Sequence, residues 1–174
     1  MTTTYQVPDI QGWMTSGELQ WLYEQASRMR SVIEVGCWKG RSTHALLSAC
    51  PGLVYAVDTW EGSKDLRHPG GPHFEALAGR LFADFLHNVG GFENLVVIQH
   101  ESPMAASLCP DVDMVFIDAD HTYPGVRADL AAWAPKAAKL VCGHDISCPD
   151  VRRAVTECWG SFGTLEDIWF VWLT

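Results

Sequence analysis

Five ionisable side chains crowd two short stretches of this chain. Asp118, Asp120 and His121 lie in Phe116-Ile117-Asp118-Ala119-Asp120-His121-Thr122-Tyr123, and His144 and Asp145 follow Gly143. Each stretch trails an apolar run of strand length, so in a parallel sheet the five groups meet at one mouth. Carboxylates that close repel and raise one another's pKa, a cost that a divalent cation removes by accepting their oxygens. An unperturbed imidazole, titrating near pH ~6.5, suits proton transfer there. Plainer uses stay open. Asp120 and His121 can hydrogen-bond each other and cap a helix starting near Tyr123, with Pro124 in its first turn. His144 and Asp145 can cap a helix at 149–159.

A second constellation lies upstream. Val32-Ile33-Glu34-Val35-Gly36-Cys37-Trp38-Lys39-Gly40-Arg41-Ser42 takes an apolar run through E-x-G-x-x-x-G-x-S into a helical pattern. Gly36 permits a sharp turn with a ligand against the backbone, and Gly40 permits close approach where the helix begins. Asp58 ends the next apolar run, where an acid can accept hydrogen bonds from both ribose hydroxyls. Glycines alone would only turn the chain; with Glu34 and Asp58 they describe the seat of a nucleoside-bearing cofactor. The spacing is not G-x-G-x-x-G, and no G-K-[ST] follows, which disfavours NAD and ATP.

The elements that must position these residues are legible from periodicity. Residues 16–30 read as an amphipathic helix with Ser16 as N-cap. Apolar runs at 31–36, 53–58, 94–99, 113–118 and 139–143 read as buried strands, and helical patterns at 41–50, 74–88, 103–108 and 123–134 separate them. That alternation is a doubly wound, mostly parallel α/β sheet. Residues 149–159 add a helix, and the last eleven residues supply one or two strands, a truncated final hairpin. Residues 61–73 (EGSKDLRHPGGPH) read as a loop at the carboxyl end of the second strand, in the position of a substrate lid over the mouth. His68 and His73 lie in it; they and His44, His87 and His100 have no ligating spacing.

With 174 residues, one domain is expected, residues 1–30 serving as a cap segment and helix. Acidic residues outnumber basic ones 21 to 12, for a net charge of −9, and no basic cluster tracks a phosphate backbone, so nucleic acid is not an expected partner. Neither a membrane span nor a signal sequence is visible, and six scattered cysteines form no C-x-x-C pair; the expectation is a cytoplasmic protein with reduced thiols. Of eight tryptophans, Trp13, Trp38 and Trp60 fall near turns, as candidate walls of a small pocket.

The E-x-G-x-x-x-G-x-S turn, Asp58, the 116–123 stretch and Gly143-His144-Asp145 resemble the small class I S-adenosylmethionine-dependent methyltransferases, in the branch related to catechol and sugar O-methyltransferases. Gly12-Trp13-Met14 and residues 151–155 extend the likeness over nearly the whole chain. The resemblance implies a Rossmann-like fold, S-adenosylmethionine as cofactor and a small-molecule or sugar hydroxyl as acceptor. It implies cofactor contacts from Glu34 (methionine amino group), Gly36, Cys37, Trp38, Gly40 and Ser42 (the turn), Asp58, Thr59 and Trp60 (ribose and adenine edge) and Asp118. Ser102 matches an adenine contact, and a helix N-cap there is an equal reading. His121 matches the general base, Asp118 and Asp145 match magnesium ligands, and His144 and Ile146 stand where many relatives have a second oxygen ligand, which leaves a weak magnesium site, a manganese site with His144 as a ligand, or no metal. A homodimer is common in the class. A module that binds the cofactor without transferring methyl is the alternative function.

Overall fold

Each strand of the central sheet shows its two faces in its own sequence. In β1 (Ser31–Val35) Val32 points to one side and Ile33 and Val35 to the other. β2 (Leu53–Asp58), β4 (Val112–Ile117) and β5 (Ala137–Gly143) alternate likewise, as a period of two residues requires. These four strands and β3 (Leu95–Gln99) are parallel neighbours. An antiparallel hairpin of β6 (Gly163–Leu165) and β7 (Ile168–Trp172) completes the sheet in the order β3-β2-β1-β4-β5-β7-β6. The computed structural model describes residues 4–62 and 79–173.

Helices cover both faces. α1 (Ser16–Ala26), α2 (Arg41–Ala49) and α3 (Leu81–Val89) pack Leu19, Leu22, Leu46 and Phe85 onto the Val32 side. The single turn α4 (Ser102–Ala105), α5 (Tyr123–Trp133) and α6 (Pro149–Trp159) pack Ala105, Leu130, Trp133 and Val155 onto the Ile33 side. From β1 the chain runs outward to β2 and β3, then returns to lay β4 on the opposite flank of β1. The strand order therefore reverses between β1 and β4, and ligands of open sheets bind beyond the carboxyl ends at such a point.

The doubly wound expectation is met, and the differences are local. α1 begins after Thr15, not Ser16, because Thr15 has Glu18 three residues on. The Thr15 side chain accepts from the Glu18 N–H while the Glu18 carboxylate accepts from the Thr15 N–H, a reciprocal cap. The helix ends at Ala26, short of residue 30. β3 is half-buried, not fully buried, because it is the outer strand of the sheet. The expected 61–73 loop falls, beyond residue 62, outside the described residues, as do His68, His73 and the first part of the 74–88 pattern; α3 starts at Leu81. Among the described residues no helix is long and apolar enough to cross a membrane.

Candidate functional site

At the carboxyl end of β1 the chain turns at Gly36, with φ +87°, and its N–H donates to Val57 O at 2.9 Å. A Cβ here would overlap the Asp118 carbonyl oxygen, well inside the 3.0 Å that real Cβ atoms keep, so only glycine fits. The turn that follows is held by Asp58. Its Oδ2 accepts from the N–H groups of Cys37 at 2.8 Å and Trp38 at 2.9 Å, and its Oδ1 accepts from Trp60 N–H at 2.7 Å. The acid thus shapes the turn first, and these three bonds leave about one of its roughly four lone-pair sites unused. Trp38, Trp60 and Asp145 also adopt left-handed φ values of +44°, +52° and +58°. Such strain costs about 1–3 kcal/mol per residue and gathers where structure is held for function.

Glu34, in β1, is fully buried and neither carboxylate oxygen has a well-formed hydrogen bond. Burial pushes its pKa up to about 7; the nearby Ser42 and Thr43 hydroxyls and Cys37 thiol favour the charge, and Asp118 opposes it. A buried carboxylate whose neighbours make no well-formed hydrogen bond to it needs an explanation, and a cationic ligand group would supply one. Cys37 is buried with its thiol on the Glu34 and Val57 carbonyls. Thr59 accepts the Glu61 N–H on its hydroxyl and the Gln99 side chain on its carbonyl. Trp60 belongs to the core, not to a pocket wall: its ring packs on Phe82 and Phe85 and its indole N–H donates to Trp38 O. Trp13 is 67% exposed and packs on Trp38 with tilted rings, centroids 4.4 Å apart. Gly40 opens α2, also at φ +87°.

Beyond β4 and β5 the acids and imidazoles form a chain. His121 Nε2 lies 3.0 Å from Asp145 Oδ2 and 3.5 Å from Asp118 Oδ1. Asp118 N–H donates to Val35 O, so this cluster abuts the Gly36 turn. Asp118 and Asp145 lift His121 to about 10 against the opposing effect of burial, far from the unperturbed value expected from sequence. Burial would raise Asp145, but the two imidazoles outweigh it and hold its carboxyl well below the usual range.

Three of the plainer readings do not survive. Asp120 accepts from Thr122 N–H at 2.7 Å instead of pairing with His121, and Thr122 is the N-cap of α5. α6 is capped by Cys148, whose N–H donates to the Asp145 carbonyl, so the His144 and Asp145 side chains are not caps. Ser102 is the first helical residue of α4, with Glu101 at the cap; its hydroxyl donates to buried Asp129 and accepts the Trp133 indole N–H at 2.9 Å.

The donors do not fit magnesium. Ligand atoms of Asp118, His121 and Asp145 lie within 4.8 Å of one another, but the third donor is an imidazole, which magnesium does not seek, and it already pairs with Asp145. His144 does not join them: its Nδ1 faces Asp145 and its Nε2 faces Glu18. Both carboxylates draw the His121 imidazole toward its charged form, which offsets their mutual repulsion.

Two residues escaped the sequence reading. Glu18 pairs with His144 at 3.2 Å inside the protein; its only sequence signal is the T-x-x-E cap. Arg41, inside the glycine motif, bonds the carbonyls of Ile10 at 2.6 Å and Met14 at 3.2 Å and so pins the N-terminal segment beside the mouth. Gly12 lies against its side chain, where a Cβ would meet Arg41 Cδ at 2.6 Å.

The pattern of a methyltransferase-domain family matches residues 33–146. An uncharacterized protein of Sinorhizobium fredii is 24% identical over 161 residues, which cover 88% of this chain and 17% of that protein, so the chain spans well under two thirds of that relative. Among solved structures, an O-methyltransferase from Bacillus cereus in complex with SAH superposes with a TM-score of 0.66 at 15% identity, covering 96% of this chain and 84% of that one. A TDP-rhamnose 3'-O-methyltransferase of calicheamicin biosynthesis superposes with a TM-score of 0.57 at 17% identity, covering 88% and 76%. At these identities the structures share the fold.

Proposed function

Because the chain belongs to the methyltransferase-domain family, we propose that it transfers a methyl group from S-adenosylmethionine to a hydroxyl of a small molecule or sugar. The observation that carries the reading is the contact between the two halves of the site: the Asp118 carbonyl closes on Gly36, so the acid-imidazole cluster stands directly beside the cofactor turn. Glu34 would face the methionine ammonium, the 36–40 turn with Ser42 would line the methionine and ribose, and Asp58 with Thr59 would take the ribose hydroxyls. S-adenosylmethionine supplies an activated methyl on a sulfonium. The protein's work is to align the acceptor oxygen, exclude water and receive one proton, and alignment alone is worth several kcal/mol of barrier, about 7–11 at the upper end.

His121 would receive that proton on Nδ1, the ring nitrogen that the carboxylates leave free, with its Nε2–H held by Asp145 and Asp118, which would stabilise the imidazolium formed. At about 10 the ring is protonated at neutral pH and must lose its proton first. The positive charge of a bound cofactor opposes that proton and brings the ring toward the working range. Likeness to O-methyltransferases supports a hydroxyl acceptor.

The test is release of S-adenosylhomocysteine from the full chain incubated with S-adenosylmethionine and a panel of sugar and phenolic hydroxyls. His121→Ala should lower turnover by about 100-fold, the usual scale for a general base, with S-adenosylhomocysteine affinity unchanged. Undiminished turnover would remove His121 from that role. Cofactor binding with no release from any acceptor would mark a binding module instead.

A further inference from the structure

Behind His121 lies a buried ion pair that methyl transfer does not use. Glu18 of α1 is 2% exposed and His144 is 8% exposed. Acids are almost never buried so deeply unless paired, and breaking such a pair leaves an uncompensated charge. Glu18 Oε1 meets His144 Nε2 at 3.2 Å and accepts Asp167 N–H at 2.9 Å, while its Oε2 accepts Thr15 N–H at 2.8 Å. The His144 ring then reaches Asp145 Oδ2 with Nδ1 at 3.3 Å. His121 Nε2 reaches that same oxygen, at 3.0 Å, from the other side. One carboxylate oxygen is therefore gripped by two imidazoles, one buried and one at the mouth.

We infer that Glu18 and His144 are positioning residues for the site: Glu18 fixes the His144 ring, the ring fixes the Asp145 carboxylate, and the carboxylate aims His121. The inference rests on His121 being the base. Asp145 needs such support, because its backbone is held at φ +58° and its carboxylate is partly open to solvent. A reactive group held only by a rotatable carboxylate is loose, and an outer tier of hydrogen bonds removes that freedom. Glu18 is itself locked from two elements, by the Thr15 cap and by the β6-β7 turn, whose Glu166 accepts the Thr15 hydroxyl proton at 2.5 Å. The start of α1 and the final hairpin thus set the angle of the catalytic ring from outside the cofactor site.

The groups facing this chain are Asp118 from β4, Asp145 and His144 after β5, the Cys148 thiol on the His121 carbonyl, Glu18 from α1, and Asp167 beside His144 and Asp145. The experiment follows the His121 ring by 15N NMR against pH in the full chain saturated with S-adenosylhomocysteine. Glu18→Gln should lower the His121 titration midpoint by about 0.5 unit or more and broaden its ring signals, while affinity for S-adenosylhomocysteine stays within about threefold. Thr15→Ala removes the hydroxyl but keeps the Thr15 N–H on Glu18 Oε2 and the Glu18 charge, so it should move the His121 signals much less than Glu18→Gln does. If Glu18→Gln does not fold, His144→Gln should still broaden the His121 signals. Unchanged His121 signals in a folded variant of either kind, or an equal change in Thr15→Ala, would overturn the inference. A wild-type chain that fails to bind S-adenosylhomocysteine would overturn the methyltransferase reading beneath it, a separate result.

Discussion

Gly36→Ala and Gly40→Ala form a matched pair that tests how the site is built. Both glycines sit at φ +87°, so each alanine carries the same left-handed strain, about 1–2 kcal/mol. Their surroundings differ. At Gly40 the new methyl would meet Val89 Cγ1 at 3.0 Å and Phe85 Cδ2 at 3.2 Å, side chains that can yield. At Gly36 it would overlap the backbone carbonyl of Asp118, and the nearby backbone of Ala119 leaves that strand end nowhere to retreat. Relieving the overlap displaces the Asp118 loop, and forced backbone shifts of this kind add about 1–3 kcal/mol or more. For a chain of this size each 1 kcal/mol moves the midpoint by about 2–4 °C. Thermal unfolding should therefore drop by about 3–6 °C in Gly40→Ala and by about 10 °C in Gly36→Ala. Calorimetry on Gly36→Ala should also show affinity for S-adenosylhomocysteine at least 10-fold weaker. Equal, small losses in both variants would refute the close approach of the Asp118 loop to the cofactor turn.

Glu34, raised to about 7, should lose roughly half a proton when a cationic ligand group binds at pH 7; binding heats in buffers of different ionisation enthalpy should show this release, and Glu34→Gln should abolish it. Absence of release in wild type would separate Glu34 from the ligand. His144 is raised to about 11, burial opposing its charge while Asp145 and Glu18 outweigh it, and burial likewise opposes Glu18, whose partners hold it below its ordinary value. A raised imidazole stabilises the fold fully below its unfolded value of ~6.5 and loses that contribution as pH rises through its folded value, whereas a depressed acid loses its contribution as pH falls. The stability gap between wild type and His144→Gln in urea should thus be widest near pH 5–6.5 and close toward pH 11; a gap that grows with pH would contradict the ion pair. EDTA should leave acceptor-dependent turnover within about twofold. A loss restored by magnesium would reassign Asp118 and Asp145 as ligands.

The sheet was legible because buried parallel strands are apolar on both faces, and their carboxyl ends were legible because Gly36, Asp58, Asp118 and Asp145 each end or follow such a run. What escaped depends on distance in sequence. His144 sits 126 residues from Glu18, and periodicity carries no sign that a helix-face acid and a strand-end imidazole will meet. Ser102 had the composition of a cap, yet a hydroxyl beside buried Asp129 and Trp133 is drawn inward by stronger partners. The His121 shift was equally invisible, since it arises from two carboxylates on different strands closing on one ring. Trp60 illustrates the same limit: its place after β2 resembled a rim, but Phe82 and Phe85 from α3 enclose it.

Titration calorimetry of the full wild-type chain with S-adenosylhomocysteine and, separately, with NADH tests most directly whether the Gly36 turn and Asp58 seat S-adenosylmethionine. One site for S-adenosylhomocysteine is expected, with Kd of about 10 μM or tighter, weakened at least 10-fold by Asp58→Ala, and no binding of NADH. No heat with S-adenosylhomocysteine, or a saturable NADH site, would contradict that assignment.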